Sequence, residues 1–151
     1  MSDFRIFLKQ LAKVLQFTAL APDKHGACLV IMKKNNIPLL FEFDDHLVPN
    51  TILISTPIIE VALSHEWHFY NETLKGNSLG EETLSLKPDD NLIYLHRRLS
   101  PLISAEDLQD ILDVFIAKTV QWKECFEKIT QEREPDKPDE PPTLKPYRFK
   151  V

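Results

Sequence analysis

The stretch Ile58–Leu74, IIEVALSHEWHFYNETL, is difficult to house in a lone small molecule. Wound as a helix at about 100° per residue, it places Ile59, Leu63, Trp67, Tyr70 and Leu74 on one side. Ile58, Val61, Ala62, His65 and Phe69 fall on an adjoining side. The polar strip is narrow: Glu60, Ser64, His68, Asn71 and Lys75, with Glu66 interrupting the apolar arc. A helix that covers a core with one face is polar on the other. This segment predicts two apolar contacts, one with the protomer's own sheet and one with a second protomer. The plainer alternative is a central helix buried inside a monomer.

The chain has 151 residues, enough for one domain with a substantial core. Its net charge is −5, with no block of Lys or Arg, which argues against nucleic acid or an anionic membrane surface as partner. No apolar run approaches the ~20 residues needed to span a bilayer. Polar residues break up the apolar stretches of MSDFRIFLKQ, so it does not read as a signal peptide. A cytoplasmic setting is expected, with Cys28 and Cys125 as reduced thiols, although a disulfide between them stays open.

Residues 3–18 carry Phe4, Phe7, Leu8, Leu11, Val14 and Leu15 at helical spacing, with Ser2 or Asp3 as cap. ACLVIMK (27–33), an Asn-rich turn and the alternating run 39–44 predict a β-hairpin. TILIST (51–56) predicts a third strand, with Pro57 opening the central helix and Gly76 able to close it in the left-handed conformation. Residues 83–86 and 92–97 form a second hairpin around Pro88-Asp89-Asp90-Asn91. Ser104 caps a last helix of about seven turns, by the usual period. The fold class is α+β in the order α-β-β-β-α-β-β-α, an antiparallel sheet packed with helices. One domain spans 1–131. Five prolines among charged residues make 132–151 a flexible tail.

No stretch announces catalysis. His65-Glu66-Trp67-His68 spaces its histidines by three where the zincin helix uses four, and no third ligand is evident. Cys28 with His25 or His46 as base is a conceivable thiol enzyme, but Cys28 sits in an apolar strand where a thiol behaves as a small hydrophobe. Asp44-Asp45 and Asp89-Asp90 are explained by turns. Three glycines leave no phosphate loop. A binding protein without metal or cofactor is expected. Strand faces bearing Leu40 and Ile54 or Leu53, together with the first helix, can take an extended partner that adds as a strand to the sheet edge.

Several segments together resemble a known family. They are Leu74-Lys75-Gly76-Asn77-Ser78-Leu79-Gly80, Thr83–Leu86, Asn91–Leu95, Arg98-Leu99 and Ser104–Leu108, with FLKQLAKVL in the first helix and Trp122 in the last. The family is the class I type III secretion chaperones, small acidic proteins of the Tir-chaperone-like group. The departure is Gly80-Glu81-Glu82-Thr83, shorter and less Gly-rich than usual, which implies a tighter loop. The resemblance implies a cytoplasmic bacterial homodimer that is not an enzyme. It would bind the amino-terminal segment of one or more secreted effectors in extended form and present it to the secretion ATPase or sorting platform. The alternative is a regulator of the same fold outside secretion. On this reading Ile59, Leu63, Trp67, Tyr70 and Leu74 line the two-fold interface with Ile93 and Leu95. Phe4, Leu8, Leu40 and Ile54 hold the client.

Overall fold

The computed structural model describes residues 2–44, 50–77, 80–87 and 89–136. Helix α1 (Ser2–Leu15) leads into strands β1 (Ala27–Met32), β2 (Ile37–Asp44) and β3 (Thr51–Glu60). Helix α2 (Glu66–Gly76) follows, then β4 (Thr83–Lys87), β5 (Leu92–Leu99) and the long α3 (Ala105–Glu132). The element order is the expected one. The five strands form one antiparallel sheet in the order β1-β2-β3-β5-β4.

Alternation along the strands decides which sheet face is dry. Ile37, Leu39 and Phe41 of β2, Ile52 and Ile54 of β3, and Ile93 and Leu95 of β5 are fully buried. The helices close over this face. Phe4 stacks on Phe43 with centroids 6.0 Å apart, and Phe7 meets Phe41 at 5.9 Å. From α3, Leu108, Leu112, Phe115, Phe126 and Ile129 complete the core. Ser104 caps α3 by accepting from the Asp107 N–H at 3.1 Å, as its sequence predicts. Helix α1 stops earlier than expected. Gln16 takes φ +60° and the Phe17 N–H reaches back to the Ala12 carbonyl at 2.9 Å, a Schellman-type ending.

The central segment differs from expectation. Ile58, Ile59 and Glu60 belong to β3, which runs through Pro57 with a register shift between Pro57 and Ile59. β-Branched residues favour a pleated surface, and a bulge tolerates the missing proline donor. Ile59 pairs with Ile93 across the sheet and is half-buried there, not on a helix. A short 3₁₀ turn, Leu63–His65, separates the strand from the eleven residues of α2. Gly76 also plays a different part. It is the last residue of α2, and a Cβ built there would lie 2.4 Å from the tip of the Trp122 indole. Asn77 then anchors β4, accepting from the Leu84 N–H at 2.6 Å and donating to its carbonyl at 2.9 Å.

Gly76→Ala should force Trp122 off its stack on Phe126, whose centroids lie 5.7 Å apart. Overpacking of about 1–3 kcal/mol outweighs the helix-propensity gain of about 1 kcal/mol. Urea denaturation should show a lowered midpoint, with shifted tryptophan emission in the native state.

Candidate protein-binding surfaces

Strand β1 is an edge. It pairs with β2 on one side, and no strand covers its other side among the described residues. Cys28 and Val30 point into the core, so Leu29 and Ile31 must point outward. They are 61% and 53% exposed, a high fraction for such side chains. Leu29 stands opposite half-buried Leu40, and Ile31 opposite Pro38. At the end of the strand, Ile31 and Met32 join Leu15, Phe17, Lys33 and Lys34 around a depression of about 360 Å³. Phe17 is exposed as well. An open strand edge offers backbone donors and acceptors, and apolar side chains beside it offer pockets.

The second surface is on α2. Leu63 and Leu74 are 76% and 70% exposed, with Trp67 and Tyr70 half-buried between them. The spacing of Trp67, Tyr70 and Leu74 puts them along one flank of α2, and Leu63 precedes them in the 3₁₀ turn. The opposite flank is anchored by Phe69, whose ring packs 5.1 Å from Phe126, and by Gly76 against Trp122. The Tyr70 hydroxyl donates to Glu66 at 2.6 Å, and this bond to a carboxylate raises the phenol above its ordinary range.

The structure corrects several expected contacts. Phe4, Leu8 and Ile54 are buried in the core beneath the sheet and cannot meet a client as placed. The helical spacing of Phe4 and Leu8 marks the inward face of α1. Ile93 and Leu95 are equally buried within the protomer, so neither lines an outer interface. Leu40, Leu63, Trp67, Tyr70 and Leu74 keep accessible surface. Leu29 and Ile31 were not singled out in the sequence, although alternation against Cys28 and Val30 would have found them.

A charged cluster supports the β4–β5 end of the sheet. Glu82 is 6% exposed and bonds both Lys118 of α3, at 2.5 Å, and Arg97 of β5, at 3.2 Å. Arg97 also pairs with Glu81. Burial alone would push the Glu82 carboxyl up; the Lys118 and Arg97 bonds outweigh it and hold the group below the ordinary carboxylate range. This is the segment read above as a tighter loop, and its second glutamate pins the loop to two other elements. On the outer sheet face His96 accepts or donates with Ser85 and stacks on Tyr94 at 6.1 Å. Burial, then Lys87 and Arg98, lower its pKa.

The chemical alternatives find little footing. Cys28 is buried, and desolvation, aided by Asp23, raises its thiol pKa, the reverse of what a nucleophile needs. His46 lies outside the described residues. His65 and His68 bond to backbone carbonyls of Arg133 and Glu134, at 3.0 and 3.2 Å. No three His, Cys, Asp or Glu residues converge on a metal position among the described residues. Of the paired turn acids, Asp44 bonds Arg98 at 2.8 Å, and Asp90 accepts from the Leu92 N–H.

Comparison with known proteins places these features. The model of the Tir chaperone protein (CesT) family matches residues 6–123. Three solved structures are similar over most of the chain. The HopA1–SchA chaperone–effector complex gives TM-score 0.66 at 17% identity, covering 82% of this chain and 97% of that one. The ExsC–ExsE complex gives 0.67 at 10% identity, covering 83% and 94%. The Yersinia pestis type III secretion chaperone SycH, in complex with a stable fragment of YscM2, gives 0.62 at 15% identity, covering 79% and 98%. At these identities the likeness establishes the fold. No curated protein matches the chain by sequence. No helix among the described residues is long and apolar enough to cross a membrane.

Glu82→Ala should lower stability by roughly 1–3 kcal/mol, because Lys118 loses its carboxylate partner and Arg97 is left with Glu81 alone. Acid should act through His96. Its folded pKa lies below the unfolded value of 6.5, so its contribution is present above that pH and is lost as pH falls through the folded pKa. His96→Gln should flatten that part of a stability–pH profile measured by thermal unfolding.

Proposed function

Since the chain belongs to the Tir chaperone protein (CesT) family, we propose that it is a type III secretion chaperone. Its client is the amino-terminal segment of one or more secreted effectors, held in extended form in the bacterial cytoplasm. The reading rests above all on the β1 edge. The outer edge of six-residue β1, about 20 Å long at the usual rise and without a strand partner among the described residues, carries Leu29 and Ile31 and borders the depression beside Phe17. An extended segment can bond to that edge and drop alternate apolar side chains onto the flanking surface. Such binding keeps a client unfolded and shields its apolar residues from one another. The chaperone itself carries out no bond-making or bond-breaking step, in keeping with the buried, proton-retaining Cys28.

The chaperone acts as a homodimer. Leu63, Trp67, Tyr70 and Leu74 form its interface, with a second copy covering the outward flank of α2. Exposed leucines on a short helix gain about 25 cal/mol per Å² of apolar area removed from water. A dimer also doubles the number of strand edges offered to one client. Charge −5 keeps the loaded complex dispersed.

Two substitutions separate these surfaces. Leu63→Asp leaves the isolated fold intact, because Leu63 is 76% exposed, but places an unpaired charge in a dimer contact. Light scattering should show monomers where the parent chain is dimeric, and a dimer of unchanged affinity would sink the interface. Ile31→Asp should leave the dimer alone and weaken co-purification of an extended effector segment at least ten-fold. Unchanged retention of the segment would refute the β1 site.

A further inference from the structure

The segment after α3 does not depart from the domain at Glu132. Residues 133–136 cross the start of α2. The Arg133 carbonyl bonds His65 Nε2 at 3.0 Å, and the Glu134 carbonyl bonds His68 Nε2 at 3.2 Å. The Asp136 N–H donates to the Ser64 carbonyl at 2.6 Å, and its carboxylate accepts from the Trp67 N–H at 2.8 Å. The same carboxylate lies 3.6 Å from His68, and the Arg133 guanidinium 3.8 Å from Glu72. Helix α2 has no cap of its own, since His65 makes no side-chain capping bond at the N-cap position. An acidic group bonded to a first-turn N–H supplies what is missing and complements the helix dipole.

At about 100° per residue, His68 and Glu72 lie on a flank of α2 away from Trp67, Tyr70 and Leu74. The segment therefore grips α2 while leaving its exposed apolar flank open.

We propose that residues 133–136 are a latch that presets α2 for a second copy of the chain, so that self-association is controlled from the segment following α3. The proposal rests on the homodimer reading above. Helix α2 is short, begins with a 3₁₀ turn and is buried only at Phe69 and Gly76. Helices this short are marginal without outside support. The latch provides that support at the end of α2 that bears Trp67 and follows the turn carrying Leu63.

The test uses the full chain with Asp136→Ala and Asp136→Asn, following amide hydrogen exchange and the dimer dissociation constant together. Loss of one cap should speed exchange at Trp67 and the following turn about five-fold, with β3 and β5 unchanged. Self-association of Asp136→Ala should weaken several-fold. Asp136→Asn, which keeps an acceptor for the Trp67 N–H, should recover most of both. Parent-like exchange in α2 overturns the latch. Faster exchange with unaltered self-association overturns its coupling to the dimer. A parent chain that is monomeric at every concentration overturns the homodimer reading and the coupling with it, while the exchange rates still decide whether the latch exists.

Discussion

Strand β3 sits between β2 and β5, pairing with β2 over residues 51–55 and with β5 over residues 52–60. Its ten residues carry the sheet past Pro57 to Glu60. Because β5 offers eight residues of matching edge, the chain at Ile58–Glu60 satisfies its backbone groups in the ladder. That choice consumes residues which would otherwise have begun a longer central helix. Helix α2 is left with eleven residues, a 3₁₀ entry and apolar side chains that its own core does not cover. The outward leucines of α2 and its dependence on another segment for a cap both follow from the length of β3.

The two sheet faces divide the work. One is sealed by phenylalanines of α1 and α3 and holds the fold together. The other, with the β1 edge, remains open to water and carries Leu29, Ile31 and Leu40 beside polar residues such as Glu42 and His96. Antiparallel sheets commonly arrange themselves this way, dry on one side and wet on the other. What is unusual is the apolar character of an exposed edge, which most proteins blunt with charge or proline. The Glu82–Arg97–Lys118 bonds reinforce the opposite edge, tying the approach to β4 onto β5 and α3. A reinforced end and an open end suit a protein whose partner adds to the open one.

Family membership covers most of the fold. The Tir chaperone family model spans 118 positions, from 6 to 123, and so stops before the end of α3. The latch on α2 lies beyond that span. Its residues bond at the start of the helix nearest the proposed contact between copies.

Much of the scaffold can be read from residue order. Helical spacing in α1 and α3, the Ser104 cap, the alternation in β2 and the asparagine turn at Asn36, with φ +51°, are local effects with local causes. The order of elements and the α+β class follow from them. The site was less legible. Phe4, Leu8, Ile54, Ile93 and Leu95 advertise hydrophobicity, but spacing alone cannot say whether an apolar face meets its own sheet or a stranger. Burial settles that through contacts between residues far apart in the chain, such as Phe4 with Phe43. Ile58 and Ile59 could serve a helix or a strand, and the waiting edge of β5 resolved the ambiguity. Asp136 reaching Trp67 across 69 positions has no signature in either segment. Local sequence sets propensities and periodicities; pairing, burial and long-range caps depend on which segments the fold brings together.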